Sequence, residues 1–138
     1  MEKIFSITNP EVLLHIFFKK EDFVEPRINL SPDEEYLQAC SLVFERGRKI
    51  PSHKHLEVNK IGKITQEMII VIEGELEVEY YDLNDQLIKK IILKEGDCSI
   101  TYRGGHSFKA LTENTKLYEI KNGPYQGRDK DKKEINHV

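Results

Sequence analysis

Apolar and polar positions alternate along most of the chain with the two-residue period of a half-buried strand, and turn residues cut the pattern into short runs. Leu76, Val78 and Tyr80 share one face of such a run, and Glu75, Glu77 and Glu79 take the other. Cys98, Ile100 and Tyr102 alternate in the same way with Ser99 and Thr101. The pattern predicts strands over residues 36–45, 67–73, 75–82, 87–93, 98–102, 107–111 and 116–121. Gly47, Gly74, Asn84-Asp85, Gly96-Asp97, Gly104-Gly105, Glu113-Asn114 and Gly123-Pro124 supply the breaks. Residues 12–18 read as a further strand on their β-branched and aromatic content. Ser31-Pro32-Asp33-Glu34 carries an N-cap followed by proline, but a strand-like run comes so soon after it that one helical turn is the most expected there.

Residues 68–72 are apolar at every position, so this strand is expected to be covered on both faces. One face looks into a core; a second layer or a homodimer partner covers the other, and a homodimer is the expected assembly. Short strands at this spacing predict an all-β fold, a sandwich or barrel of two antiparallel sheets with little helix. Residues 36–122 form the expected barrel, 1–35 an N-terminal extension packed on it, and 123–138 a C-terminal tail. From Arg128 to Glu134 every residue is charged, which reads as a solvated tail.

With 138 residues the chain can bury a hydrophobic core as one domain. A formal net charge of −3 gives no reason to propose nucleic acid or an anionic membrane as partner. The first apolar run, 12–18, is short and interrupted by His15, too polar for a membrane span or signal peptide. Cytoplasmic residence is the expectation, with Cys40 and Cys98, far apart in sequence, as reduced thiols.

The candidate chemistry lies in the histidines. His53 and His55 are two apart, so on a strand they point to the same side and can share one ion. Glu67 falls in phase with Ile69 and Val71, and a carboxylate on an apolar face is costly unless it is paired or metal-bound. Glu57 is a rival carboxylate nearer the two histidines. His106 follows Gly104-Gly105 at a turn; His15 and His137 read as a strand residue and a tail residue.

Together these residues resemble the two motifs of the cupin superfamily. Gly47 is followed by five residues and then His53-Lys54-His55, and Glu67 by six residues and then Gly74, as in the first cupin motif. Eleven residues separate His55 from Glu67, more than that motif has, and residues 56–66 read as an insertion at a turn. The second motif is matched approximately. Gly96 and Gly104 take its glycines, Tyr102 stands where proline is usual, His106 comes one residue early, and the usual asparagine is missing.

The resemblance implies a small single-domain jelly-roll cupin. It also implies one divalent transition metal ion (Fe, Mn, Zn or Ni) held near the barrel mouth by His53, His55, Glu67 and His106. Imidazole and carboxylate ligands suit those metals, and open positions would let the ion polarise a substrate. Lys60 and Lys63 in the insertion, with Lys54, Arg48 and Arg103 near the motifs, form a candidate basic rim for an anionic substrate. Tyr102 is a further candidate for the pocket wall. The expected function is binding of, or action as an oxygenase or isomerase on, a small polar or anionic metabolite. Small cupins of this kind also resemble proteins of carbohydrate metabolism. The alternative is a non-catalytic module that binds a sugar or another small molecule.

Overall fold

In the computed structural model the described residues are 1–55, 62–124 and 126–135, without the side chains of residues 128 and 130. Strands are β1 (Glu2–Phe5), β2 (Leu13–Phe18), β3 (Arg27–Asn29), β4 (Cys40–Leu42), β5 (Glu67–Glu73), β6 (Glu75–Tyr81), β7 (Leu87–Lys94), β8 (Cys98–Thr101), β9 (Gly105–Ala110) and β10 (Lys116–Lys121). A single 3₁₀ turn covers Lys20–Asp22, and a four-residue helix, α1, covers Arg128–Asp131. The fold is all-β, as the alternation predicts. The turn expected near Ser31 is present as one bond, in which the Glu35 amide donates to the Pro32 carbonyl at 3.1 Å.

All strand pairs are antiparallel. A five-stranded sheet runs β1-β2-β8-β5-β10, a three-stranded sheet runs β7-β6-β9, and β3-β4 form a separate ribbon. The two larger sheets face each other over one core. Ile4, Phe17, Ile69 and Val71 enter it from the first sheet, and Leu76, Val78, Tyr80 and Leu93 from the second. The glutamates of β6 point outward, as their alternation requires, and reach Lys90 and Lys94 on β7.

The apolar character of β5 is resolved within the chain. Its second face, Met68 and Ile70, packs on an outer cluster built from Leu30, Ile100 and Tyr102, with Ile28, Leu37 and Ala39 alongside. The N-terminal third therefore provides the cover for which a dimer partner was one expectation.

The expected strands differ from the structure in three places. Of residues 36–45 only Cys40–Leu42 pairs, and β1 and β3 form where no strand is expected. The segment carrying His53 and His55 is irregular. Among the described residues neither large sheet closes on itself: the outer strands are β1 and β10 in one and β7 and β9 in the other.

Candidate functional site

One end of the sandwich is polar on its inside. His15 on β2 pairs in register with Thr101 on β8, Thr101 with Glu67 on β5, and Glu67 with Lys121 on β10. Directly paired residues share a face, so four polar side chains stand in one row across four strands. From the facing sheet Tyr80 and His106, cross-strand partners on β6 and β9, complete the layer. His106 Nε2 lies 3.1 Å from Glu67 Oε1, and Lys121 Nζ lies 3.0 Å from Glu67 Oε2. Of these residues Glu67, Thr101 and His106 line a cavity of about 900 Å³, bordered also by Tyr81, Arg103, Asp131 and Ile135.

Burial by itself would raise the Glu67 pKa, but His106 and Lys121 outweigh it and hold the carboxyl down to about 2. Glu67 is thus a carboxylate at neutral pH, with its side chain only 7% exposed. Oε1 of Glu67 and Nδ1 of His106 are buried and make no hydrogen bond. The 3.1 Å approach of Nε2 to Oε1 is therefore a close polar contact without hydrogen-bond alignment. Two cis ligands on a transition metal, each bonded at about 2.1 Å, sit about 3 Å apart, so this pair fits two positions of such an ion.

His15 is fully buried at the β2 end of the row, its ring centroid 4.6 Å from that of Tyr80. Desolvation lowers its pKa to about 4, so the imidazole is neutral. Its Nε2 lies 3.3 Å from the Tyr81 carbonyl and its Nδ1 3.1 Å from Thr101 Oγ1. Gly104 makes the approach possible. It holds φ at +74°, and a Cβ there would be driven into the Tyr81 carbonyl.

Arg103 borders the cavity with its guanidinium tied to Glu35, Nη1 to Oε1 at 2.7 Å and Nη2 to Oε2 at 3.3 Å. Glu35 is itself buried and accepts a hydrogen bond from Gln66 Nε2 at 2.5 Å. That fork fixes the arginine in place.

The structure brings Glu67 and His106 together. It places His53 and His55 apart from them, exposed and with ring centroids 5.4 Å apart. Among the described residues no three His, Cys, Asp or Glu side chains gather at metal-binding spacing. Lys60, Glu57 and His137 lie outside the described residues. Lys63 is exposed and borders a smaller hollow of about 250 Å³ beside Asn122. Tyr102 is fully buried in the outer cluster, where desolvation pushes its hydroxyl up to about 12, and it does not border the cavity.

Sequence reasoning misses Lys121 and Thr101, because only strand register puts them beside Glu67. For His15 a signal exists, a lone polar side chain in an apolar strand. The charged C-terminal segment, expected in solvent, borders the cavity instead. Asp131 accepts a hydrogen bond from Thr65, and the Ile135 side chain lies against Gly105. No described helix is long and apolar enough to cross a membrane. Searches against known protein families, curated proteins and solved structures find no match.

Proposed function

We propose that the chain is a jelly-roll, cupin-like protein that binds one divalent transition metal ion and takes a small polar or anionic metabolite in the cavity above it. The observation that carries this reading is the pair Glu67 Oε1 and His106 Nε2. The two atoms are 3.1 Å apart at the cavity floor, and Oε1 makes no hydrogen bond. Glu67 and His106 would hold the ion, and His53 and His55 would complete the set. His53 supports its part: with Nδ1 donating to the Pro51 carbonyl at 2.9 Å, the Nε2 lone pair is the one left for a metal. When bound, such an ion acts as a Lewis acid toward a ligand oxygen. Lys121 keeps Glu67 ionised, and Arg103, held by Glu35, meets a polar or anionic group of the ligand.

One observation favours a second reading, a binding module without metal or catalysis. Lys121 already compensates the Glu67 charge, so the floor is balanced without an ion. The free thiols Cys40 and Cys98 fit a reducing, cytoplasmic setting. A homodimer formed over the exposed Ile72, Tyr118 and Ile120 fits either reading.

Metal loading tests the proposal. After chelator treatment and reloading with Zn, Mn, Fe or Ni, elemental analysis should give one equivalent for the wild type. His106→Ala and Glu67→Gln should lose it, and His53→Ala should bind more weakly. A full equivalent in His106→Ala, or none in the wild type, overturns the metal reading; the latter result leaves the binding module.

A further inference from the structure

The cavity wall is built from two kinds of chain. Glu67, Thr101 and His106 belong to strands held in the sheets. Asp131 and Ile135 belong to residues 128–135, which among the described residues pair with no strand.

That segment hangs from a fixed point. Asn122, just beyond β10, accepts a hydrogen bond from the Gln66 amide through Oδ1 at 2.6 Å and donates from Nδ2 to the Ile64 carbonyl at 3.2 Å. Further on, Gly127 holds φ at +102°, a left-handed value that glycine adopts without strain. A Cβ at Gly127 would meet no atom within 4 Å. The chain is thus pinned at Asn122 and turns at Gly127 in open space.

Beyond Gly127 two contacts fasten the segment across the cavity. The Thr65 hydroxyl donates to Asp131, and the Ile135 side chain lies against Gly105, where any Cβ would collide with it. The bare backbone of Gly105 is the seat for Ile135. Between these anchors Lys132, Lys133 and Glu134 are exposed. One part-buried hydrogen bond and one half-buried isoleucine are small beside the entropy of ordering residues 128–135 outside any sheet. Under that balance a segment opens locally while the core stays folded.

We infer that residues 128–135 are a strap that opens about Gly127, closes on Thr65 and Gly105, and so controls entry of a small molecule to Glu67 and His106. The inference goes beyond the metal reading and holds whichever ligand the cavity takes. A fixed wall and a strap differ in one respect: loosening an anchor of a strap bares the residues behind it.

Histidine modification tests this on the full chain, with diethyl pyrocarbonate at pH 7 and mass spectrometry to locate the label. In the wild type His106, its side chain 22% exposed, should react more slowly than the exposed His53 and His55, and the fully buried His15 should not react. Thr65→Val removes one anchor and Ile135→Asp the other. Gly127→Ala strains the closed backbone and touches neither. Each should speed labelling of His106 about fivefold, the shift in closing equilibrium expected for one hydrogen bond. His53 and His55 should keep their rates, and a protected His15 shows that the variant is folded. Thr65→Val is isosteric, so it keeps the test decisive if Ile135→Asp does not fold. His106 labelling as fast as that of His53 in the wild type, or unchanged in Thr65→Val and Gly127→Ala, overturns the inference. The test needs no metal ion, so it and metal loading can fail separately.

Discussion

Lys121 stands directly across the β5–β10 pair from Glu67, its ammonium 3.0 Å from the carboxylate oxygen that does not face His106. It stabilises the ionised carboxylate, and it also places a positive charge next to the proposed ion. Lys121→Met should therefore do two opposite things. The protein should lose stability at neutral pH, while the affinity for a divalent ion should rise about tenfold as a nearby like charge is removed. Competition with a chelator of known affinity measures the second effect. Weaker metal binding in the variant would argue against an ion at Glu67.

His15 gives the fold a pH dependence with a defined sign. Its folded pKa, about 4, lies below the ordinary 6.5 because burial disfavours the charged ring. Between those values the unfolded chain binds the extra proton, so stability is complete above pH 6.5 and falls as the pH drops toward 4. A shift of this size corresponds to about 3 kcal/mol. Urea unfolding at pH 7 and pH 5 should show most of the change in the wild type and little of it in His15→Gln. Equal slopes in the two proteins would remove His15 as the source.

The ribbon β3-β4 and the segment joining its two strands seal the outer face of β5. Leu30, 3% exposed, packs there in one cluster with Ile100 and Tyr102. Leu30→Ala should cost about 3 kcal/mol of unfolding free energy, the usual range for a buried leucine that leaves a cavity. Chemical denaturation reads this directly, and a loss below about 0.5 kcal/mol would show that the ribbon adds no real second core.

The edge strand β10 leaves Tyr118 64% and Ile120 44% exposed, beside Ile72 at 43% on its neighbour β5. An open strand edge with apolar side chains is a pairing surface. Light scattering at micromolar concentration should show a dimer, and Tyr118→Lys should shift it to monomer. A wild-type monomer would leave the patch as ordinary exposed surface.

Much of the fold can be read from the chain before folding is considered. The bounds of β5 and β10 coincide with the predicted runs, and the buried face of β6 is the one its alternation marks. These properties are local, since a strand's two faces are encoded by neighbours two residues apart. His53 and His55 show the limit of that reasoning. Two residues of spacing place side chains on one side only if the segment is a strand, and here it is irregular and exposed. The strands β1 and β3 escape prediction because each is only three or four residues long, too short for a period to show.

The candidate site is legible in part. Glu67 announces itself as a carboxylate in phase with an apolar face, and its burial follows. What surrounds it does not announce itself. His15, Thr101, Glu67 and Lys121 come from four separated stretches of chain and meet because β2, β8, β5 and β10 pair in one register. A shift of one residue in any of these pairings would turn that partner to the opposite face. Alternation within a strand is written in a handful of adjacent residues; register between strands is set by packing the whole core at once, so the row of polar side chains exists only in the folded chain.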